Sequence, residues 1–437
     1  MPAADVAWIL AAFALVLLMF PGLAMLYGGM LNGRSVLNMM MMVMSSLAVT
    51  TVVYVMVGHG LVLGDTVAGL RLIGDPFEFA FFNDLMTDDG AGTTLDSAFF
   101  ALFAAISVAL VASGAAGRMK FDAWMIFSAI WVLLVYAPMA HWVFAADDED
   151  AGTKGGWMVN VLDLHDYAGG TAVHMNAGAA GLALAIFLGR RRAKSGDKPH
   201  NLPLMLIGAG LLAVGWIGFN GGTAGAADFL AQYVVMTSLL ALAGGMLGFI
   251  IMQRLVNGHY TLLGLGTGMI AGLVGITPVA DAVHPVGAIC VGLLASAAAF
   301  GAIKLARRWG IDDSADVFAV HGVGGMAGAM FVVFFGTAAA PAERAGVFFG
   351  GSPDLIWREI VAIVVTVGFS FCMTYAIAWV MDKIHPIRIS EEDEGAGIDL
   401  ALHSEAAYER SMNTAAAEAE VDSDFADTQT TADRKIQ

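Results

Sequence analysis

The chain has 437 residues, 58% of them hydrophobic and 14% charged, with a mean hydropathy of +0.74. Soluble domains carry roughly 25% charged residues, so this balance excludes a soluble fold and requires lipid around much of the surface. The net charge of −17 argues against a nucleic-acid partner, and two cysteines in apolar runs exclude a disulfide framework or a thiolate zinc site.

Eleven apolar runs come near the ~20 residues that a bilayer-crossing helix needs. They fall at 6–30, 36–63, 97–117, 122–145, 167–189, 202–221, 229–252, 261–280, 283–306, 316–337 and 357–381. The first lacks a basic leader and is too long for a signal peptide, so it counts as helix one. Alternate loops hold Arg34; Arg118 and Lys120; Arg190, Arg191, Arg192, Lys194 and Lys198; Arg254; and Lys304, Arg307 and Arg308, with Lys383 and Arg388 after the last run. The other loops hold only Arg71, Lys154, Arg344 and Arg358. The positive-inside rule then puts the N-terminus outside and the C-terminus in the cytoplasm.

The outer Asp147, Asp148, Glu149 and Asp150 read as a solvated loop. From Glu391 onward the tail carries thirteen acids against three basic residues. Three parts follow: a transmembrane domain over 1–386, an ordered cytoplasmic segment over 387–409, and an acidic tail over 410–437 whose composition predicts disorder.

Run five contains AVHMNAGAAG (172–181) and run ten contains AVHGVGGMAG (319–328), both A-V-H-x-x-x-G-x-A-G and 147 residues apart. A weaker echo joins Gly22 and Tyr27-Gly28-Gly29 to Gly215 and Asn220-Gly221-Gly222 at an offset of 193. Runs one to five therefore repeat as six to ten, with an eleventh outside the repeat. Units with an odd number of helices lie in opposite orientations, the inverted repeat of many transporters, whose sites sit between the halves near mid-membrane. The expected fold is an all-α polytopic membrane protein of eleven helices.

Ionisable groups at membrane depth invite a functional reading. His59 and His141 read as packing residues, but the pseudo-twofold axis brings His174 and His321 to one locus. Two imidazoles sharing an N–H···N bond stay neutral in an apolar pore and still pass a proton. Asp166 opens run five, eight residues before His174, or ~12 Å toward the outer surface, where a carboxylate caps free N–H groups or supports a bound cation.

Several stretches resemble the Amt/Mep/Rh ammonium transporters, Amt branch: DYAGGTAVH (166–174), GWIGFNGGT (215–223), DVFAVHGVGG (316–325), PGLAMLYGG (21–29), AGLVGITP (271–278) and EGAGIDLALHSEAAY (394–408). The resemblance covers roughly residues 6–409. It implies twin pore histidines at His174 and His321 and a buried aspartate at Asp166. It also implies a stacked phenyl gate of Phe103 and Phe219, an ammonium-recruiting site of Phe103, Phe144, Thr223 and Asp166, and a pore-facing Trp216. The chain departs from the family in having Phe144 for the cage tryptophan, with Trp142 adjacent, Thr223 for serine, Phe100 for a glutamine and Gly117 for a glutamate. Phenylalanine is the weaker cation–π partner, which lowers the expected affinity of recruitment.

The same resemblance implies a plasma-membrane homotrimer with one pore per subunit, transport of ammonium and methylammonium, and a PII-type regulator at the cytoplasmic face. It implies no enzyme activity, metal or cofactor. Adjacent histidines leave no room for a haem between them, and no phosphate-binding loop for ATP is present. Two alternatives stay open: an ammonium sensor of the same fold, and a proton-coupled transporter of another small solute.

Overall fold

The computed structural model describes residues 1–87, 92–150, 152–192 and 199–408. The acidic tail expected to be disordered, together with Lys194 and Lys198, lies outside these residues. Among them, ten helices are long and apolar enough to cross a membrane: α1 (Ala3–Met30), α2 (Val36–Leu63), α3 (Thr93–Ala115), α4 (Phe121–Phe144), α5 (Gly170–Leu188), α6 (Leu202–Gly222), α7 (Phe229–Asn257), α9 (Pro285–Trp309), α10 (Phe318–Phe335) and α11 (Asp354–Ile384). The eighth run forms a shorter helix, α8 (Leu262–Ile276), of 15 residues.

That shortening has a local cause. Pro278 has no N–H to continue the ladder, and the Thr277 hydroxyl donates to the Leu273 carbonyl at 2.8 Å. The carbonyls of Thr277 and Pro278 then accept the N–H groups of Ala168 and Tyr167 at 3.2 and 3.1 Å. The end of α8 therefore fixes the approach to α5. The mirrored end of α3 does the same for α10, where Ser113 accepts from Ser314 N–H at 3.4 Å and from Ala315 N–H at 2.9 Å.

Glycines set how closely the halves approach. A Cβ on Gly22 would meet Leu212 N at 3.0 Å, one on Gly208 would meet Leu26 N at 2.2 Å, and one on Gly29 would meet Met205 N at 2.6 Å. So α1 and α6 cross backbone to backbone, the small-residue packing that stands in for a hydrophobic driving force in lipid. The glycines of the repeated motif do likewise. A Cβ on Gly178 would meet Gly322 N at 2.3 Å, and one on its repeat mate Gly325 would meet the Gly170 carbonyl at 3.0 Å and Met175 N at 3.5 Å.

The loops separate into two faces. On the N-terminal face, Thr66 N–H donates to the Lys154 carbonyl at 3.0 Å, and both guanidinium nitrogens of Arg71 reach Asp147 at 2.7 Å. Of the acidic run expected to be solvated, Asp147 is thus a staple between loops; Arg71 holds its carboxyl at about 2.

The opposite face carries residues 385–408. Two short helices, α12 (Glu391–Ala396) and α13 (Ile398–His403), lie against the bundle. Asp399 accepts the Leu37 and Asn38 N–H groups at 3.0 and 2.8 Å, capping α2. Arg118 is fully buried there, donating to the Gly189 and Gly114 carbonyls at 2.6 and 2.8 Å.

Candidate functional site

α5 and α10 both open with six residues of π-helix, Gly170–Met175 and Phe318–Val323, and each of these carries one of the repeated histidines. π-turns widen a helix locally and recur at functional sites. Each widened turn packs on the α-helical stretch after the other histidine. The result is a direct contact: His174 Nδ1 lies 3.2 Å from His321 Nδ1, with ring centroids 5.2 Å apart.

One proton fits between two Nδ1 atoms. The accepting ring must then carry its own proton on Nε2, while the donating ring has a bare Nε2 lone pair. The pair thus presents one donor and one acceptor outward. His174 Nε2 is buried without a partner among the described residues.

Beside the rings, Trp216 stands 5.1 Å from His174, its indole N–H donating to Thr277 Oγ1 at 2.9 Å. The histidines, Trp216 and Phe219 line a cavity of about 10 Å3 with Met19, Leu23, Ile106, Leu110 and Leu212. Apart from ring nitrogens this lining is apolar, and the space suits something the size of one water. Met19 and Leu212, and likewise Leu23 and Trp216, are repeat mates at the offset of 193. Sequence reading had that offset but not these lining residues.

Phe219 caps the cavity. Its ring stacks on Phe103 at 4.0 Å and 8°. The repeat mate of Phe219 is Leu26, so this stacked pair has no mirror image. Beyond it, Phe100 lies 5.9 Å from Phe103 and 6.0 Å from Phe144. Trp142 turns away, donating to the Leu72 carbonyl and packing on Trp157 and Phe369. Phe144 is therefore the ring on the Phe100 side. Thr223, one turn past Phe219, donates its hydroxyl to the Phe219 carbonyl at 2.8 Å, so its oxygen can still accept.

Asp166 does not start α5; it precedes Gly170 by four residues. Gly169, at φ +103°, makes the entry turn. The carboxylate collects the N–H groups of Gly169, Gly170, Thr171 and Ala172 at 3.0, 2.7, 2.8 and 3.2 Å. Burial pushes this carboxyl up, against the four donors pulling it down.

Asp313, which sequence reading missed, stands 147 residues after Asp166, the offset of the histidines. It accepts the Ser113 hydroxyl at 2.5 Å and the Phe318 N–H at 2.9 Å. Asp313 borders a cavity of about 520 Å3 on the C-terminal face with Asp316, Arg307 and Arg191.

Burial pushes Asp316 up to about 7 although Arg307 lies 3.2 Å away. An unfolded aspartate titrates near ~3.9, so between about 4 and 7 the folded chain holds a proton that the unfolded one has lost. Asp316 therefore favours the fold in full only below that range. Stability should fall as pH rises to about 7 and then level off, and Asp316→Asn should remove this slope from melting curves taken between pH 5 and 8. A wild-type curve already flat over that interval would contradict the assignment.

Residues 7–408 match the Ammonium Transporter Family. The chain belongs to that family. It is 58% identical to an ammonium transporter of Corynebacterium glutamicum, over 94% of this chain and 91% of that one. Its fold is similar to the crystal structure of Saccharomyces cerevisiae Mep2, with TM-score 0.79, 30% identity, and 90% and 88% of the two chains covered. A structure described as a sensor Amt protein gives TM-score 0.82, 25% identity, and 91% and 98% coverage. This family member is thus a multi-pass membrane protein of a transporter family, not of an enzyme family.

Proposed function

We propose that the chain carries ammonium across the plasma membrane by taking it in at an aromatic site, removing a proton and passing ammonia along the apolar conduit. The observation that carries this reading is the imidazole pair, joined at 3.2 Å beneath a stacked phenyl pair in an otherwise apolar cavity.

Moving a compact cation from water into such surroundings costs on the order of 20 kcal/mol in the idealised limit. Ring faces return only ~0.5–2 kcal/mol each, so Phe100, Phe103 and Phe144 can hold ammonium at the mouth but cannot carry it through. Loss of a proton removes the charge. Ammonia is a small neutral molecule with three N–H groups and one lone pair. The donor–acceptor pair of Nε2 atoms matches it, and the shared Nδ1 proton gives a relay for the one removed. Potassium has no proton to lose and stays outside.

Several readings accompany this one. The C-terminal face is cytoplasmic, supported by Arg34, Arg118, Lys120, Arg190 and Arg388 on that side. The assembly is a homotrimer with one pore per subunit, supported by family membership. Residues 387–408 are the docking region for a PII-type regulator, supported by their ordered packing on the bundle.

A sensor function is the second reading, favoured by the likeness to the sensor Amt structure. Purified protein in liposomes on a solid-supported membrane decides between them. An ammonium jump should give a current that persists in potassium-free buffer, and methylammonium should be taken up. Saturable binding with no current would replace transport by sensing, and current driven equally by potassium would overturn the mechanism.

A further inference from the structure

The conduit is closed at the stacked rings. Phe103 and Phe219 are 2% and 0% exposed, so a solute passes only when one of them moves. How wide the opening becomes depends on whether the backbone under the ring moves as well. The last turn of α6, which bears Phe219, is fastened from outside the helix.

Helix ends leave carbonyls without intrahelical partners. Here the Phe219 carbonyl accepts the Thr223 hydroxyl at 2.8 Å, the Asn220 carbonyl accepts the Tyr167 hydroxyl at 2.9 Å, and the Gly221 carbonyl accepts the Trp8 indole N–H at 3.0 Å. The Asn220 side-chain amide also donates to Ser238 Oγ on α7 at 2.8 Å. Tyr167 is itself held, its N–H donating to the Pro278 carbonyl at 3.1 Å, and it directly follows Asp166. One tyrosine thus joins the end of α8, the approach to α5 and the turn bearing the gate ring.

The mirrored end of α1 is built differently. Leu26 stands where Phe219 does, and the mates of Asn220 and Gly221 are Tyr27 and Gly28. Their carbonyls accept the backbone N–H of Leu31 at 3.2 and 3.3 Å. Ser314, the repeat mate of Tyr167, has a hydroxyl with no partner among the described residues. The side-chain ties therefore accompany the ring, and the repeat does not require them.

We propose that Tyr167 is a positioning residue for the phenyl gate, fixing the last turn of α6 so that Phe219 opens by ring rotation over a stationary backbone. Trp8 shares the task from α1. This rests on the ammonium-transport reading above and adds to it a control of size. A ring swinging on a fixed backbone clears a gap of one side chain. A turn that shifts carries ring and backbone together and clears a wider gap, through which a methyl-substituted ammonium passes more readily.

The test uses the full chain in liposomes, with ammonium and methylammonium currents measured on the same preparation. Tyr167→Phe keeps the ring and removes the donor. It should raise the ratio of methylammonium to ammonium current about fivefold, the change in population that one hydrogen bond of ordinary net strength supports. Trp8→Phe removes the tie at Gly221 and should move the ratio in the same direction. Tyr233→Phe is the control. Its hydroxyl donates to the Val283 carbonyl at 2.8 Å, tying α7 to the segment before α9 and not to α6, so its loss should leave the ratio unchanged. A loss of stability alone lowers both currents together and keeps their ratio. An unchanged ratio in Tyr167→Phe, or an equal rise in Tyr233→Phe, overturns the proposal. If Tyr167→Phe does not fold, Trp8→Phe against Tyr233→Phe decides it in the same way. If wild type gives no ammonium current, the transport reading fails, and hydrogen exchange decides on the tie by itself. The amides of 220–223 should then exchange about fivefold faster in Tyr167→Phe than in wild type, and equal rates overturn it.

Discussion

His321→Ala is expected to lower the ammonium-driven current about a hundredfold, the low end of what one positioned proton-transfer group contributes. The substitution removes the partner of His174 Nδ1 at 3.2 Å and leaves that nitrogen facing Trp216, Phe219 and aliphatic side chains. A buried polar atom left unpaired costs about 1–3 kcal/mol, so the His174 ring should turn away or admit water. Either outcome ends the shared-proton arrangement. Water in the cavity also removes the basis for rejecting potassium, so residual current should be less selective. The measurement is the ratio of ammonium to potassium current in wild type and variant, with methylammonium uptake in parallel. A variant matching wild type in both amplitude and selectivity would remove the imidazole pair from the mechanism.

The largest effect on stability should come from Asp166→Ala. Four backbone N–H groups at the entry to α5 end on this carboxylate. Unpaired buried donors cost about 1–3 kcal/mol each, so even the lower limit for four comes to about 4 kcal/mol. The π-helical turn bearing His174 begins at Gly170, and the Asp166 carboxylate accepts its first N–H groups from four residues upstream. Alanine should therefore loosen that turn, lowering the melting temperature in detergent and the current together. Asparagine keeps one acceptor oxygen and should fall between wild type and alanine. Equal melting temperatures for wild type and Asp166→Ala would show that the cap does not hold the turn.

Much of this architecture is legible in the chain as written. Apolar runs of bilayer length locate the helices because lipid leaves backbone groups few ways to be satisfied. The offset of 147 between the A-V-H motifs already places His174 and His321 on equivalent turns, and the same arithmetic reaches Asp313 from Asp166. Helix ends are less legible. The eighth run was expected to reach residue 280, but α8 stops at Ile276 ahead of Pro278, and the carbonyls of Thr277 and Pro278 bond instead to Ala168 and Tyr167, more than a hundred residues away. Asp166 was expected to open helix five, yet Gly169 turns the chain and places that carboxylate four residues ahead of Gly170, where the helix begins.

The sequence by itself determined the number and order of the apolar helices, the mirrored halves and the identity of the paired imidazoles. Those follow from periodicity, composition and self-similarity, which are properties of one chain read along its length. The resemblance named Phe103, Phe219 and Phe144, but only the tertiary structure sets the first two rings 4.0 Å apart at 8° and turns the Trp142 indole to the Leu72 carbonyl. α11 has no repeat mate to fix where it lies, so only packing places it against α5. Such contacts depend on how backbones approach and which side of a helix turns inward, and neither leaves a local signature in the order of residues.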